Sequence, residues 1–296
     1  MKYGVQLGGG AGVKDKAVLN AVGQQAEAAG YEAILIGDHI VFPKKIDSYY
    51  PYLKLAQEQG QDPYTLFTQM EWLDSFTVLA LLINATETIR LGTSVTIIPY
   101  RHPQEMARVI MTLDVLSGGR FILGAGTGWM KEEFDLLDVP FEKRGKRTDE
   151  YIEVMKKIWT EDDCRFDGEF IKIPEELHFA PKPVQKPYPP IWVGGESLPA
   201  LKRVVKLGNG WHIGPLARAE IGSKLDTLKK LMDEAGRDYS ELEITALIDG
   251  SNASEADIKG YADMGIDCLF TMAAAPDPEV TKTHIDEFAK MVQDVS

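Results

Sequence analysis

Short apolar runs alternate with longer stretches in which apolar residues recur at helical spacing. Residues 3–7, 32–37, 88–98, 120–125, 191–193, 211–213, 242–248 and 268–272 are short, apolar and rich in β-branched side chains. That is the pattern of strands buried on both faces, as in a parallel sheet covered by helices. Between and after them, residues 14–29, 62–85, 104–116, 148–160, 198–207, 219–235, 253–264 and 277–292 carry the 3.6-residue period of amphipathic helices. The stretch 88–103, TIRLGTSVTIIPYRHP, stands out among the strands. Val95, Thr96, Ile97 and Ile98 fit a buried strand, but Gly92, Thr93 and Ser94 before them have too little bulk to fill a core. Such a strand either leaves room for a flat ligand against its backbone or accommodates bulky neighbours. Pro103 opens the next helix, because proline is tolerated in a first turn.

Two segments break the rhythm. Residues 38–63 form a long tyrosine- and proline-bearing loop after the second strand, with Tyr49, Tyr50 and Tyr52 close together. Residues 163–190 contain a hairpin expected over 165–173, turning at Asp167-Gly168, followed by APKPVQKPYPP. Six prolines between 174 and 190 forbid a helix there. Strand–helix alternation repeated about eight times, over a length near the roughly 250 residues usual for the fold, predicts an α/β protein, a (β/α)8 TIM barrel. The expected organisation is one domain over 1–296, with an insertion at about 163–190 before the fifth strand.

Composition narrows the partners. A net charge of -13 and a pI near 4.9 argue against nucleic acid or an anionic membrane surface, so an anionic ligand must be met by local donors. Cys164 and Cys268 are isolated in sequence, which fits a reducing, cytoplasmic compartment better than a disulfide framework. The glycine-rich start is unlike a signal peptide, and the longest apolar run, 76–85, is far short of a membrane span. That run is apolar enough for core packing. The opening β-α-β pattern invites a dinucleotide-binding reading, with Asp38 on a ribose, but Val13 stands where the third glycine is required.

In a barrel, chemistry sits where strands hand over to the following loops. The residues that fall there are Gly8–Gly10, Asp38 and His39, Thr93–Val95, Gly126–Trp129, Gly194–Ser197, His212 and Thr271–Ala273. This small, polar, backbone-rich set suggests a planar cofactor held by main chain. Gly194, Gly195, Glu196 and Ser197 end a strand and lead to a helix with Pro199 in its first turn. They form a phosphate-binding turn or a plain capped helix. His39 is a candidate general acid or base, or a solvent-facing loop histidine; Asp38 beside it on a strand need not orient it. Arg144, Arg147 and Tyr151 stand at a helix entrance, to meet anionic groups or solvent. No metal is expected, because no His or Cys spacing suits one, and no Gly-x-Ser-x-Gly or Walker-type loop occurs.

Taken together, GYEAILIGDH, IRLGTSVTIIPYRHP, LDVLSGGRFILGAGTGWMKEEF, RGKRTDEY, FAPKPVQKPYPPIWVGG and LGNGW resemble the luciferase-like monooxygenase superfamily, in particular its coenzyme F420-dependent oxidoreductase branch. The resemblance spans nearly the whole chain. It implies an isoalloxazine-type ring at the top of the barrel against a bulge in the third strand, with a non-prolyl cis peptide at Ser94-Val95. It also implies that Asp38 and His39 flank the ring and that Gly126, Thr127 and Gly128 border it. The backbone of Gly194, Gly195, Glu196 and Ser197 would bind the phosphate. In sugar-phosphate-oxidising relatives an acidic residue follows Gly-Thr-Gly, whereas here Trp129 stands, which argues against a sugar-phosphate substrate. The implied activity is hydride transfer between F420 and a small organic substrate, with His39 as proton partner. FMN-dependent monooxygenation is the alternative, and a non-catalytic flavin-binding barrel a third reading. The resemblance also implies a homodimer packed through early barrel helices, which the apolar run 76–85 would allow.

Overall fold

The computed structural model describes residues 1–8, 15–50, 72–273 and 278–295. Its elements are β1 (Lys2–Leu7), α1 (Lys16–Ala28), β2 (Ala33–Ile36), α2 (Ser75–Ala85), β3 (Arg90–Thr93), β4 (Thr96–Ile97), α3 (Pro103–Leu116) and β5 (Phe121–Gly126). There follow α4 (Lys131–Leu136), α5 (Arg144–Thr160), the hairpin β6 (Asp163–Asp167) and β7 (Lys172–His178), β8 (Ile191–Gly194), α6 (Leu198–Leu207) and β9 (Gly210–Ile213). The chain continues with α7 (Arg218–Glu234), β10 (Glu243–Ile248), α8 (Glu255–Asp263), β11 (Cys268–Ala273) and α9 (Pro278–Val295). Eight parallel staves close on themselves in the order β1, β2, β3, β5, β8, β9, β10, β11, with β11 pairing back to β1 and β4 continuing the third stave. This is the expected (β/α)8 barrel.

Alternation along each strand sorts its side chains into two cores. Val5, Ile34, Leu91, Leu123, Val193, Trp211, Ile244 and Leu269 belong to the large cluster shared with the helices. Ala33, Leu35, Ile122, Trp192, Leu247, Cys268 and Phe270 form a separate cluster inside the barrel. Interior glycines admit the large rings: a Cβ on Gly4 would lie 2.2 Å from the Phe270 ring, and one on Gly210 2.5 Å from Trp192.

The third stave is broken where the small residues fall. Pairing with β2 runs as far as the Ser94 N–H, which donates to Ile36 O at 2.8 Å, the Ser94–Val95 peptide is cis, and β4 resumes at Thr96. Threonine hydroxyls replace the lost ladder bonds. Thr93 Oγ1 donates to Gly124 O at 3.0 Å and accepts from Gly124 N at 3.1 Å, and Thr96 Oγ1 donates to it at 2.9 Å. The Val95 side chain lies in a hollow left by glycines, since a Cβ on Gly126 would come within 2.5 Å of it and one on Gly194 within 3.0 Å.

Several elements differ from the sequence pattern. The helix expected over 62–85 begins at Ser75, because Asp74 caps it through the Thr77 N–H; residues 62–71 lie outside the described residues. The helix expected from Thr148 already starts at Arg144. The hairpin has longer arms than 165–173 and turns over four residues, where the Glu150 carboxylate accepts from the N–H groups of Glu169, Phe170 and Ile171. The short helix α4 was not legible at all. The proline-rich segment joins a helix end to a strand start, and its Val184 and Gln185 N–H groups are anchored on Asp114. It packs on the barrel, away from the strand ends where the candidate site lies. Among the described residues, no helix is long and apolar enough to cross a membrane.

Candidate active site

Asp38 and His39 leave the end of β2 in opposite directions and join different networks. Asp38 is 2 % exposed. Its carboxylate accepts two bonds from the Arg101 guanidinium, at 2.7 and 2.9 Å, one from the Ile97 N–H at 3.2 Å, and one from Ser75 Oγ at 3.2 Å. Asp38 therefore ties the β2 end to the strand that resumes after the bulge, and to the head of α2. It does not touch His39.

His39 is instead held by Glu133 of α4. His39 Nδ1 lies 2.7 Å from Glu133 Oε2, which also accepts from the Tyr100 hydroxyl at 2.8 Å. Glu133 Oε1 accepts from the backbone N–H groups of Ile40, at 2.7 Å, and Val41, at 3.2 Å. Burial alone would raise the Glu133 carboxyl, but His39, the Ile40 N–H and Tyr100 outweigh it and hold it below its ordinary range. Burial and the adjacent Glu133 push the Tyr100 hydroxyl well above its usual range. Because an ionised carboxylate only accepts, Nδ1 carries a proton in both charge states of the imidazole.

Aromatic rings wall His39. Phe42 lies 4.8 Å away between centroids, Trp72 5.2 Å and Trp129 6.3 Å, and Tyr50 meets Trp129 at a tilt, 4.4 Å between centroids. Trp129, at the position where sugar-phosphate oxidisers carry an acid, thus contributes an apolar face. Tyr50 joins the wall whereas Tyr49 is exposed; Tyr52 lies outside the described residues, as do Gly9 and Gly10. The β2 end also borders the bulge, since a Cβ on Gly37 would sit 3.3 Å from Trp72 and 3.8 Å from Ser94 O.

Beneath this rim, Ser94 Oγ lies 2.7 Å from His212 Nε2, and His212 Nδ1 lies 2.7 Å from Thr245 Oγ1. Burial drives the His212 imidazole down to about 4, so it is neutral at pH 7. The Gln6 amide donates to Ser94 O at 3.3 Å, while its Oε1 is buried with no hydrogen-bond partner among the described residues.

The loop after β8 is built as a turn into a helix. Gly195 has φ +95°, which glycine adopts without a Cβ penalty. Ser197 Oγ caps α6 by accepting from the Ala200 N–H at 3.3 Å. The Glu196 carboxylate accepts from the Gly214 N–H at 2.8 Å, and Lys224 donates to Glu196 O at 2.8 Å, which ties the loop to the end of β9 and to α7. Gly126 and Gly128 present main chain only, because the spaces their Cβ atoms would need are filled by Val95, and by Phe134 and Ile97. Thr127 between them is half-buried. Arg144 donates to Gly128 O at 3.0 Å, and Arg147 to Pro140 O at 2.7 Å. Both arginines therefore brace the loop after β5, with no anion needed to explain them.

These residues fit a flavin-type group. The bulge and the interior glycines leave backbone at the barrel mouth, an acceptor at Gln6 has no donor among the described residues, and a capped helix start follows the glycine turn that adjoins Val95. The sequence singles out His39, Ser94, Val95 and the 194–197 turn as candidates; the structure sets Glu133 and Tyr100 beside His39, and Arg101 beside Asp38, which no sequence motif indicates. The nearest signal is the Glu132-Glu133 pair just after Gly-Thr-Gly-Trp.

Comparison with known proteins bears on the family and the fold. An uncharacterised protein of Mycobacterium tuberculosis is 33% identical over 274 residues, 91% of each chain. The FMNH(2)-dependent dimethylsulfone monooxygenase of Pseudomonas putida is 33% identical over 159 residues, 53% of this chain and 43% of that one. In fold, the coenzyme F420-dependent tetrahydromethanopterin reductase of Methanopyrus kandleri superposes with a TM-score of 0.76 over 99% of this chain and 98% of its own, at 17% identity. Residues 2–256 match the family model of the luciferase-like monooxygenases, and the chain belongs to that family of oxidoreductases.

Proposed function

We propose that the protein is an F420-dependent oxidoreductase that moves a hydride between the deazaflavin and a small organic substrate, with His39 as proton partner. The observation that carries this reading is the clamp on His39: a fully buried carboxylate fixes its tautomer inside an aromatic wall beside the interrupted third strand. A half-buried base of fixed tautomer, walled by rings, suits proton exchange with a small substrate shielded from water. Ser94 and Val95 would support the ring, and the main chain of Gly194, Gly195, Glu196 and Ser197 its phosphate. Bound F420 would supply a two-electron hydride carrier. Glu133 keeps the Nδ1 proton in place, so that His39 takes or returns the substrate proton at Nε2. Asp38 acts at one remove, as the brace of the strand end that carries His39, rather than as an acid or base.

FMN-dependent monooxygenation is the second reading, and the similarity to the Pseudomonas putida monooxygenase favours it. The two differ in mechanism, because a reduced flavin reacts with O₂ whereas a deazaflavin works as a hydride carrier. Titration of the purified protein with F420 and with FMN, followed by cofactor fluorescence, separates them. Tight F420 binding is expected; tight binding of FMN alone would replace this reading with the second. His39→Ala should keep cofactor affinity and slow turnover. Lost affinity with retained turnover would reverse the assigned role.

A further inference from the structure

His212 lies inside the barrel, 5 % exposed, and takes no part in the proton transfer assigned to His39. Its neighbours are uncharged: Trp192 stacks at 6.2 Å, Phe270 meets it edge-on at 5.5 Å, and its two nitrogens each face one hydroxyl, of Ser94 and of Thr245. We propose that His212 is a positioning residue that fixes the Ser94 hydroxyl as a hydrogen-bond acceptor toward the bound ring, so that the pocket floor selects a heterocycle edge carrying N–H groups. This rests on the reading above that such a ring lies against the Ser94–Val95 bulge.

A neutral imidazole has one donor and one acceptor nitrogen, so one of the two hydroxyls must donate to it and the other accept. Thr245 decides which. Its Oγ1 lies 3.5 Å from the Trp211 carbonyl, an atom that can only accept, and in this relay the hydroxyl proton is assigned to that long bond. Thr245 Oγ1 then accepts from His212 Nδ1–H, Nε2 carries the lone pair, and the Ser94 proton points down to it. Only lone pairs of Ser94 Oγ remain to face the mouth. Gln6 acts in the same sense on the other side of the bulge. Its amide N–H is taken by Ser94 O, which leaves Oε1 buried without a donor among the described residues. Buried acceptors of this kind call for a partner, and a ring N–H is one.

The relay is tested first without any cofactor, by NMR of the full chain labelled with ¹⁵N-histidine. His212 is expected as the neutral Nδ1–H form across pH 6–8, and Thr245→Val should shift it toward Nε2–H. An Nε2–H form or an imidazolium in the unmodified protein would overturn the proposal, as would a tautomer unmoved by Thr245→Val. The second test is a binding cycle with F420 and FMN on Ser94→Ala, His212→Phe and the double variant. Each single change should weaken binding about tenfold and the double no further, because both remove one interaction. Additive losses, or a loss for Ser94→Ala alone, would overturn the relay while leaving the cofactor reading standing. Failure of the unmodified protein to bind either cofactor would overturn the functional reading and the ring-directed part of this proposal together. Thr245→Val keeps the relay testable should His212→Phe fail to fold.

Discussion

His39 and His212 occupy the same barrel mouth in opposite environments. His39 sits on the rim, in a loop, against a carboxylate that is itself buried and bonded to two backbone N–H groups. His212 sits in the floor, on a strand, with only hydroxyls as polar partners. The Glu133 carboxylate can only accept and so fixes a proton on His39 Nδ1, whereas hydroxyls in an apolar surround make the neutral form of His212 the cheaper one. One residue type thus meets a buried carboxylate at the rim and two hydroxyls in the floor. The difference lies in what the neighbours carry, not in the depth of the ring alone.

The largest effect is expected where both regions share a support. Asp38→Asn removes the charge that pairs Arg101, which is mostly buried, and loosens both the strand end bearing His39 and the strand after Ser94. Breaking such a pair should cost about 3 kcal/mol, read as a fall in the urea midpoint at unchanged slope. A loss below about 0.5 kcal/mol would mean that the two regions are held independently of Asp38.

Next comes the pH response of the floor. His212 titrates near 4 when folded, against 6.5 for the free side chain. The unfolded chain therefore binds more protons between these values, and stability rises with pH across that window. The contribution is fully present above 6.5 and is lost as pH falls toward 4. At 1.36 kcal/mol per unit it amounts to about 3 kcal/mol. His212→Gln should flatten the stability profile between pH 4 and 6.5, as measured by chemical denaturation. A profile unchanged by the substitution would show that His212 is not buried as a neutral base.

The rim is addressed by Glu133→Gln, which keeps the size of the side chain and removes its charge. Turnover should fall about 100-fold while cofactor affinity stays within about twofold. Equal turnover in the variant would reduce Glu133 to a loop anchor. The smallest effect is expected from Gly195→Ala, where a side chain at φ +95° costs about 1–2 kcal/mol in stability. As a control, it should leave the histidine resonances of rim and floor in place. Movement of the His212 signal would mean that the 194–197 turn and the relay are coupled.

Much of this molecule could be read from residue order. Strand and helix periods, their alternation, and the small residues at 92–94 follow from local preferences, and those act between residues near in sequence. The His39 rim position and the glycine turn at 194–195 follow too, because a strand end in a barrel has one address. What only the tertiary structure decided are the partners across the mouth. Glu133 lies 94 residues from His39, Ser94 118 from His212, and Arg101 63 from Asp38. No local pattern encodes such pairs. A carboxylate in the first turn of a six-residue helix looks like ordinary surface charge until barrel closure buries it beneath the loop after β2. The residue types were visible throughout; their protonation and hydrogen-bond polarity came from closure, which brought distant strand ends within bonding distance and removed the water between them.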